Sequence, residues 1–224
     1  MMLFLVLAVQ LDTSGSDAEP PVSHRWVSGS PYSAYNTMPA MHYSVRRCQS
    51  WERPSLEAIA RQAFPVPPWL FQSEANLAHY RPEWNPPGSE VLVTEDLAGN
   101  FCGYVYCFFE KDQLYVRELA SLRSSPGAGT MALGGALQKA VHAGAHTTRL
   151  NVMREHRMPQ HLRAGMRDPV RYYERFGYKV IGASVSVVCG AARATDTRMT
   201  GNVAEIYSSV TSYLQWKGLT DGSA

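Results

Sequence analysis

Cysteine is scarce in this chain, and none of its four, Cys48, Cys102, Cys107 and Cys189, belongs to a Cys-x-x-Cys pair. Four are too few for a disulfide framework, so they read as reduced, mostly buried thiols of an intracellular, cytoplasmic protein. A surplus of one charge is also missing. The formal net charge is +2, charged residues make up 18% of the chain, and acids interrupt the basic residues. Such a distribution leaves no nucleic-acid footprint. The apolar run MMLFLVLAV at residues 1–9 is far shorter than a membrane span, has no basic residue before it and carries no small-x-small cleavage site. Neither a membrane span nor a signal peptide is therefore expected. No Gly-Lys-Ser/Thr follows Gly127 and Gly129, which argues against a P-loop nucleotide hydrolase, and no internal repeat is present.

What the chain does have is apolar content, 45% of 224 residues, enough for one domain with a real core and some extensions. Residues 1–40 read as an N-terminal extension. Its apolar start should pack onto the domain or pair with a strand edge, and the Ser-, Gly-, Asp- and Pro-rich stretches 12–21 and 28–39 read as linker. The domain occupies residues 41–217, and 218–224 form a C-terminal tail.

The rest of the domain is arranged around residues 113–149. In QLYVRELASL, Leu114, Val116 and Glu118 alternate with Tyr115, Arg117 and Leu119, which predicts a strand. In MALGGALQKAVHAGA, Leu133, Leu137 and Val141 recur at steps of four beside Ala136 and Ala140, one apolar face of a helix. The turn between them holds Ser124, Ser125, Pro126, Gly127, Ala128 and Gly129. Its glycines let backbone N–H groups come close to a bound group. Those groups open a helix whose first donors lack intrahelical partners and whose dipole favours negative charge, so a phosphate is the natural guest. Arg149 to Met153 then read as a second strand, completing a parallel, right-handed βαβ unit.

Further on, VRYYERFGYKVIG at residues 170–182 gives a tyrosine, a glutamate and a Phe-Gly pair before another strand. A strand, a glycine turn opening an amphipathic helix, a second strand and then Tyr-Glu-Arg-Phe-Gly-Tyr resembles the GNAT N-acetyltransferase superfamily over roughly residues 41–217. The resemblance implies an α/β (α+β) fold with a mixed, mostly antiparallel sheet, a central parallel βαβ step and helices on both faces. It implies an acetyl-CoA-dependent N-acetyltransferase that moves an acetyl group to a primary amine by direct transfer in a ternary complex. The alternative is a catalytically degenerate domain of the same fold that binds acyl-CoA in a regulatory or scaffolding role.

Acetyl transfer needs a held cofactor, a deprotonated amine, a stabilised oxyanion and a protonated leaving thiolate. By resemblance, backbone N–H groups of Gly127, Ala128, Gly129 and Thr130 hold the pyrophosphate, with Arg123 as a charged donor. Main-chain groups of Leu119, Ala120 and Ser121 receive the pantetheine arm and supply the oxyanion donor. Glu118 stands where some members keep the base, either directly or through water, although a simple ion pair is the plain reading of a carboxylate between Arg117 and Leu119. Tyr173 stands where the family's tyrosine faces the CoA sulfur as general acid, and its neighbour Tyr172 competes for that role. Two departures count against full catalysis. Ser124 occupies the position of the family's Gln or Arg, and the usual asparagine would fall near Met166, so Asn151 comes too early to replace it. No cysteine adjoins a His partner, so no acetyl-enzyme is suggested.

The remaining segments follow from pattern. Tyr43, Val45 and Arg47 begin a strand, and Ser55 offers an N-cap to a helix carrying Leu56, Ile59, Ala60 and Ala63. A second helix over 69–80 would bring Phe64, Trp69, Phe71 and Tyr80 near the acceptor pocket. Residues 91–94 and 102–108 form a hairpin across Ala98, Gly99 and Asn100. Residues 155–168, with His156 and His161, read as a loop longer than the family usually has there. Asp168 and Pro169 then start a short helix that Gly177 ends. Residues 179–188 form a strand, and a polar connection leads to Val210, Leu214 and Trp216, read as a closing strand on fold analogy; Ile206, Val210 and Leu214 fit a helix equally well. His142 and His146 are four apart but no third ligand accompanies them, so no metal is expected. The acceptor stays open between a small amine and a peptide or protein amine, as does a homodimer.

Overall fold

The computed structural model describes residues 8–9, 43–63, 88–154, 169–189 and 192–220. In chain order the elements are β1 (Ala8–Val9), β2 (Ser44–Arg47), α1 (Arg53–Ala63), β3 (Ser89–Glu95), β4 (Phe101–Glu110) and β5 (Gln113–Ser121). They continue with α2 (Ala128–His142), β6 (Thr147–Arg154), α3 (Pro169–Glu174), β7 (Lys179–Cys189), β8 (Ala192–Asn202) and α4 (Val203–Trp216). The sheet runs β2-β3-β4-β5-β6-β8-β7, with β1 alongside β5. The β5–β6 and β1–β5 pairs are parallel; the other pairings are antiparallel. This is the mixed sheet with a central parallel step expected from the sequence.

The β3–β4 hairpin turns where Asp96 Oδ1 accepts from the N–H groups of Ala98 and Asn100, at 2.9 and 2.8 Å. Helix α2 crosses the sheet and is covered on its outer side by α4. It is therefore buried on more than one side: beside Leu133, Ala136, Leu137 and Ala140, the flanking Ala132 and Gly134 are buried as well. Val141, expected on the same face, is 39% exposed. Steps of four overshoot the helical repeat by about 40° each, so after two steps Val141 has rotated out and Ala140 takes its place. On the opposite face α1 packs against β4 and β5 through Leu56, Ile59 and Ala60, outside the cluster gathered around α2.

Two expectations give way. Helix α1 starts at Arg53 behind a 3-10 turn over Ser50–Glu52, so Ser55 lies within its first turn and does not cap it. Pro54 allows this earlier start because a missing N–H costs nothing in the first turn. The segment read as a closing strand is helix α4, and the closing strand is the Thr-rich β8 before it. Asn202 caps α4 by accepting from Glu205 N, and Val203, Ile206, Val210 and Leu214 are buried while Trp216 is 64% exposed. β8 looks polar, yet Thr197 and Met199 face the core while Arg198 between them is exposed. Beyond α4, Gly218 adopts a left-handed φ of 65°, and Leu219 N donates to Leu214 O at 2.9 Å. This Schellman turn directs Leu219 back onto the core.

Candidate active site

The turn after β5 is pinned from several sides. Ser125 N donates to Leu122 O and Ala128 N to Ser125 O. Tyr43 Oη donates to Pro126 O at 3.2 Å, and the buried Thr94 Oγ1 donates to Ala128 O at 3.1 Å. Gly127 has φ 87° and ends the turn as the N-cap of α2 without a side-chain cap. The N–H groups of Gly127 and Gly129 donate to no described residue. Arg123 and Ser124 lie exposed at the rim, and Ser121 and Ala128 are buried. A Cβ placed on Gly127 would come within 2.3 Å of Leu219 Cδ1, so Leu219, just beyond α4, lies directly over the turn.

Past that turn the two parallel strands separate. β5 pairs with β6 only from Gln113 opposite Thr147 to Val116 opposite Leu150, after which β6 continues against β8 alone. The free edge of β5 then receives β1, with Ala8 opposite Leu119 and Val9 opposite Ala120. The apolar start of the chain thus pairs with a strand edge, and it does so along the backbone that the sequence reading reserves for pantetheine.

A bulge decides which side chains reach the gap. The β4–β5 register passes from Cys107 opposite Val116 to Tyr106 opposite Glu118, leaving Arg117 as the extra residue. Leu119 consequently joins Leu114 and Val116 in the core around α2. Arg117 and Glu118 both turn to the other face, where Arg117 Nη1 donates to Tyr106 Oη at 3.2 Å and Tyr104 Oη donates to Glu118 Oε1. The simple alternation read from the sequence, with Glu118 on the side of Leu114 and Val116, is broken at this point. Glu118 is half-buried beside the fully buried Tyr104.

The adjacent tyrosines of α3 differ in their partners. Tyr172 Oη lies 3.0 Å from Thr130 Oγ1, a bond between two buried groups that ties α3 to the first turn of α2. The Thr130 and Tyr172 hydroxyls are therefore engaged with each other. Tyr173 is 0% exposed and its hydroxyl has no partner among the described residues. Burial raises the pKa of both phenols, with opposition from Thr130 in the case of Tyr172 alone.

No protein-family model and no curated protein matches the sequence. Solved structures do. A ribosomal-protein-alanine N-acetyltransferase from Escherichia coli matches at TM-score 0.54 and 14% identity, covering 72% of this chain and 94% of that one. A spermidine N-acetyltransferase chimera from Vibrio cholerae matches at TM-score 0.56 and 16% identity, covering 74% and 98%. An aminoglycoside 6'-N-acetyltransferase from Enterococcus faecium matches at 0.51 and 16%, covering 71% and 97%. The chain has the fold of the GNAT N-acetyltransferases.

Within the GNAT fold, the parted strands β5 and β6, the glycine turn and α3 form one neighbourhood through Val116, Gly127 and the Thr130–Tyr172 bond. Phe64, Trp69, Phe71, Tyr80, His156, His161, Met166 and Asp168 lie outside the described residues. His142 and His146 are both exposed, and among the described residues no three metal-ligating side chains converge. The sequence reading missed Arg149 and Arg198. Both line a depression of about 240 Å3 with Phe108, Tyr115, Arg117 and Asn151, on the Glu118 side of the sheet. Alternation of Arg149 and Asn151 with Leu150 and Val152 was the available signal for one of them. Arg198 had none, since its strand was read as a connection.

Proposed function

We propose that this chain is an acetyl-CoA-dependent N-acetyltransferase that acts on a primary amine by direct transfer in a ternary complex. The observation that carries the reading is the buried, unpartnered hydroxyl of Tyr173 next to an engaged Tyr172. A buried hydroxyl without a partner is costly, and a ligand atom is the natural way to satisfy it. Gly127 and Gly129 N–H groups would hold the pyrophosphate, with Ala128 and Thr130 completing the helix mouth and Arg123 at its rim. Leu119, Ala120 and Ser121 would offer main-chain groups to the pantetheine arm. Acetyl-CoA supplies the activated acyl group.

Glu118 then takes the proton of the amine, and Tyr173, kept neutral by burial, donates one to the departing sulfur. The order is direct because neither core thiol among the described residues is poised to carry the acetyl group. Burial pushes Cys107 up to about 12 and raises Cys102 as well, leaving both as thiols at neutral pH. Cys48, Cys102 and Cys107 are in no disulfide, which suits a reducing cytoplasm. Among the described residues no helix is long and apolar enough to cross a membrane.

The pairing of β1 with Leu119 and Ala120 favours the second reading, a domain of this fold that has lost turnover. Calorimetry with CoA followed by thiol release over a panel of amines separates them. Binding and thiol release on at least one amine is expected. Binding without release on any amine supports the degenerate domain, and no binding at millimolar CoA removes both.

A further inference from the structure

The depression on the Glu118 face of the sheet carries three cations on an otherwise largely apolar lining. Arg117 reaches it from β5, Arg149 from β6 and Arg198 from β8, with Asn151 between the last two through its register with Arg198. Arg117 is 4% exposed and its guanidinium lies 5.1 Å from the centre of the Tyr106 ring, so it is held in place. Arg149 and Arg198 are exposed and make no ion pair with any described residue. Arg198 extends over Gly182, where a Cβ would come within 3.1 Å of Nη2. Phe108 and Tyr115, stacked at 4.8 Å, form an apolar wall. The volume of about 240 Å3 is below the roughly 300–1,000 Å3 of sites for drug-sized ligands, and suits a small anionic head group.

The geometry points to an acceptor that carries a negative charge close to its amine, a carboxylate or a phosphate, bound by Arg117, Arg149 and Arg198. This inference rests on the acetyl-transfer reading above and names its substrate class. The bulge at Arg117 is the reason the two fit together. It places Arg117 and Glu118 side by side on one face, so an anion held by the guanidinium groups brings a nearby amine to the carboxylate that would deprotonate it. A polycationic amine would meet the like charges of Arg149 and Arg198 there, which disfavours it.

The test uses the full chain with acetyl-CoA and matched amines: α-amino acids against their amides, phosphoethanolamine against ethanolamine, and spermidine as the cationic arm. Anionic members of each pair should show the higher kcat/KM, the carboxylate and phosphate arms telling which anion is preferred. Arg149→Glu and Arg198→Glu, both at exposed positions, should raise KM for that anion by about tenfold or more while kcat changes less. Neutral amines or spermidine favoured over their anionic counterparts would overturn the inference. A second measurement is independent of turnover: titration of the CoA-saturated chain with the same amino acids and phosphoethanolamine, followed by NMR. Anion binding that both variants weaken supports the site even if no amine is acetylated. Absent or variant-insensitive binding overturns it even if acetyl transfer occurs.

Discussion

Tyr172 and Tyr173 are neighbours in one short helix and are both buried, yet among the described residues only Tyr172 has a hydroxyl partner, Thr130 at 3.0 Å. Their phenylalanine variants should therefore fail in different ways. Tyr172→Phe breaks a buried hydrogen bond and should cost about 1 kcal/mol in urea denaturation. Tyr173→Phe removes an unsatisfied hydroxyl and should be neutral or slightly stabilising, while thiol release falls by about tenfold to a hundredfold or more. Unchanged turnover in Tyr173→Phe would remove this residue from the proposed chemistry.

Gly127 is held by two separate constraints, a φ of 87° and the close approach of Leu219. Gly127→Ala should destabilise by about 1 kcal/mol or more, since alanine is strained in the left-handed region even where space exists. Adding Leu219→Ala makes room for the Cβ but leaves the backbone strain, so the double variant should stay below Leu219→Ala in thermal stability. Equal melting temperatures for those two would show that crowding alone accounts for the glycine.

The strand at Ala8–Val9 and a pantetheine arm would use the same edge of β5 at Leu119 and Ala120. Proline has no N–H to donate to a ladder, so replacing both Ala8 and Val9 by proline should weaken β1 pairing. Calorimetry should then give a lower Kd for CoA, by about threefold to tenfold if β1 pairing contributes about 1 kcal/mol. An unchanged or higher Kd would mean that β1 does not compete.

Arg46 links two elements by donating to Glu52 and Glu95 together, and the bond from Arg46 holds the Glu52 carboxyl at about 2. The folded value lies below the ordinary 4.5, so the contribution is present above that pH and is lost as pH falls through about 2. The pair is half-buried and its guanidinium still meets water, so the loss should stay within about 1 kcal/mol. Urea midpoints at about pH 7 and about pH 3 should differ less in Glu52→Gln than in the parent chain. An identical pH response would detach this pair from acid stability.

Local pattern was enough for most elements. Alternation marked β5, two short strand-like runs joined by a glycine-containing turn marked β3 and β4, and the glycine turn before an apolar helix marked α2, because these signals depend only on residue spacing and on φ. The same pattern went wrong where an element is covered on more than one side or by an unexpected neighbour. Ile206, Val210 and Leu214 suited a helix all along, but only the packing of α4 over α2 decides between that helix and a strand. The polar look of β8 concealed a strand whose inner face holds Thr197 and Met199.

Residue spacing by itself determined the strand, the glycine turn, the helix and the tyrosine pair, since each follows from side-chain periodicity or from the backbone freedom of one residue. Tertiary structure alone decided three things: which tyrosine keeps an open hydroxyl, which edge receives β1, and which face Glu118 occupies. Each depends on partners remote in the chain. The last also depends on a single extra residue at Arg117, because in a strand of period two one inserted residue moves every later side chain to the opposite face.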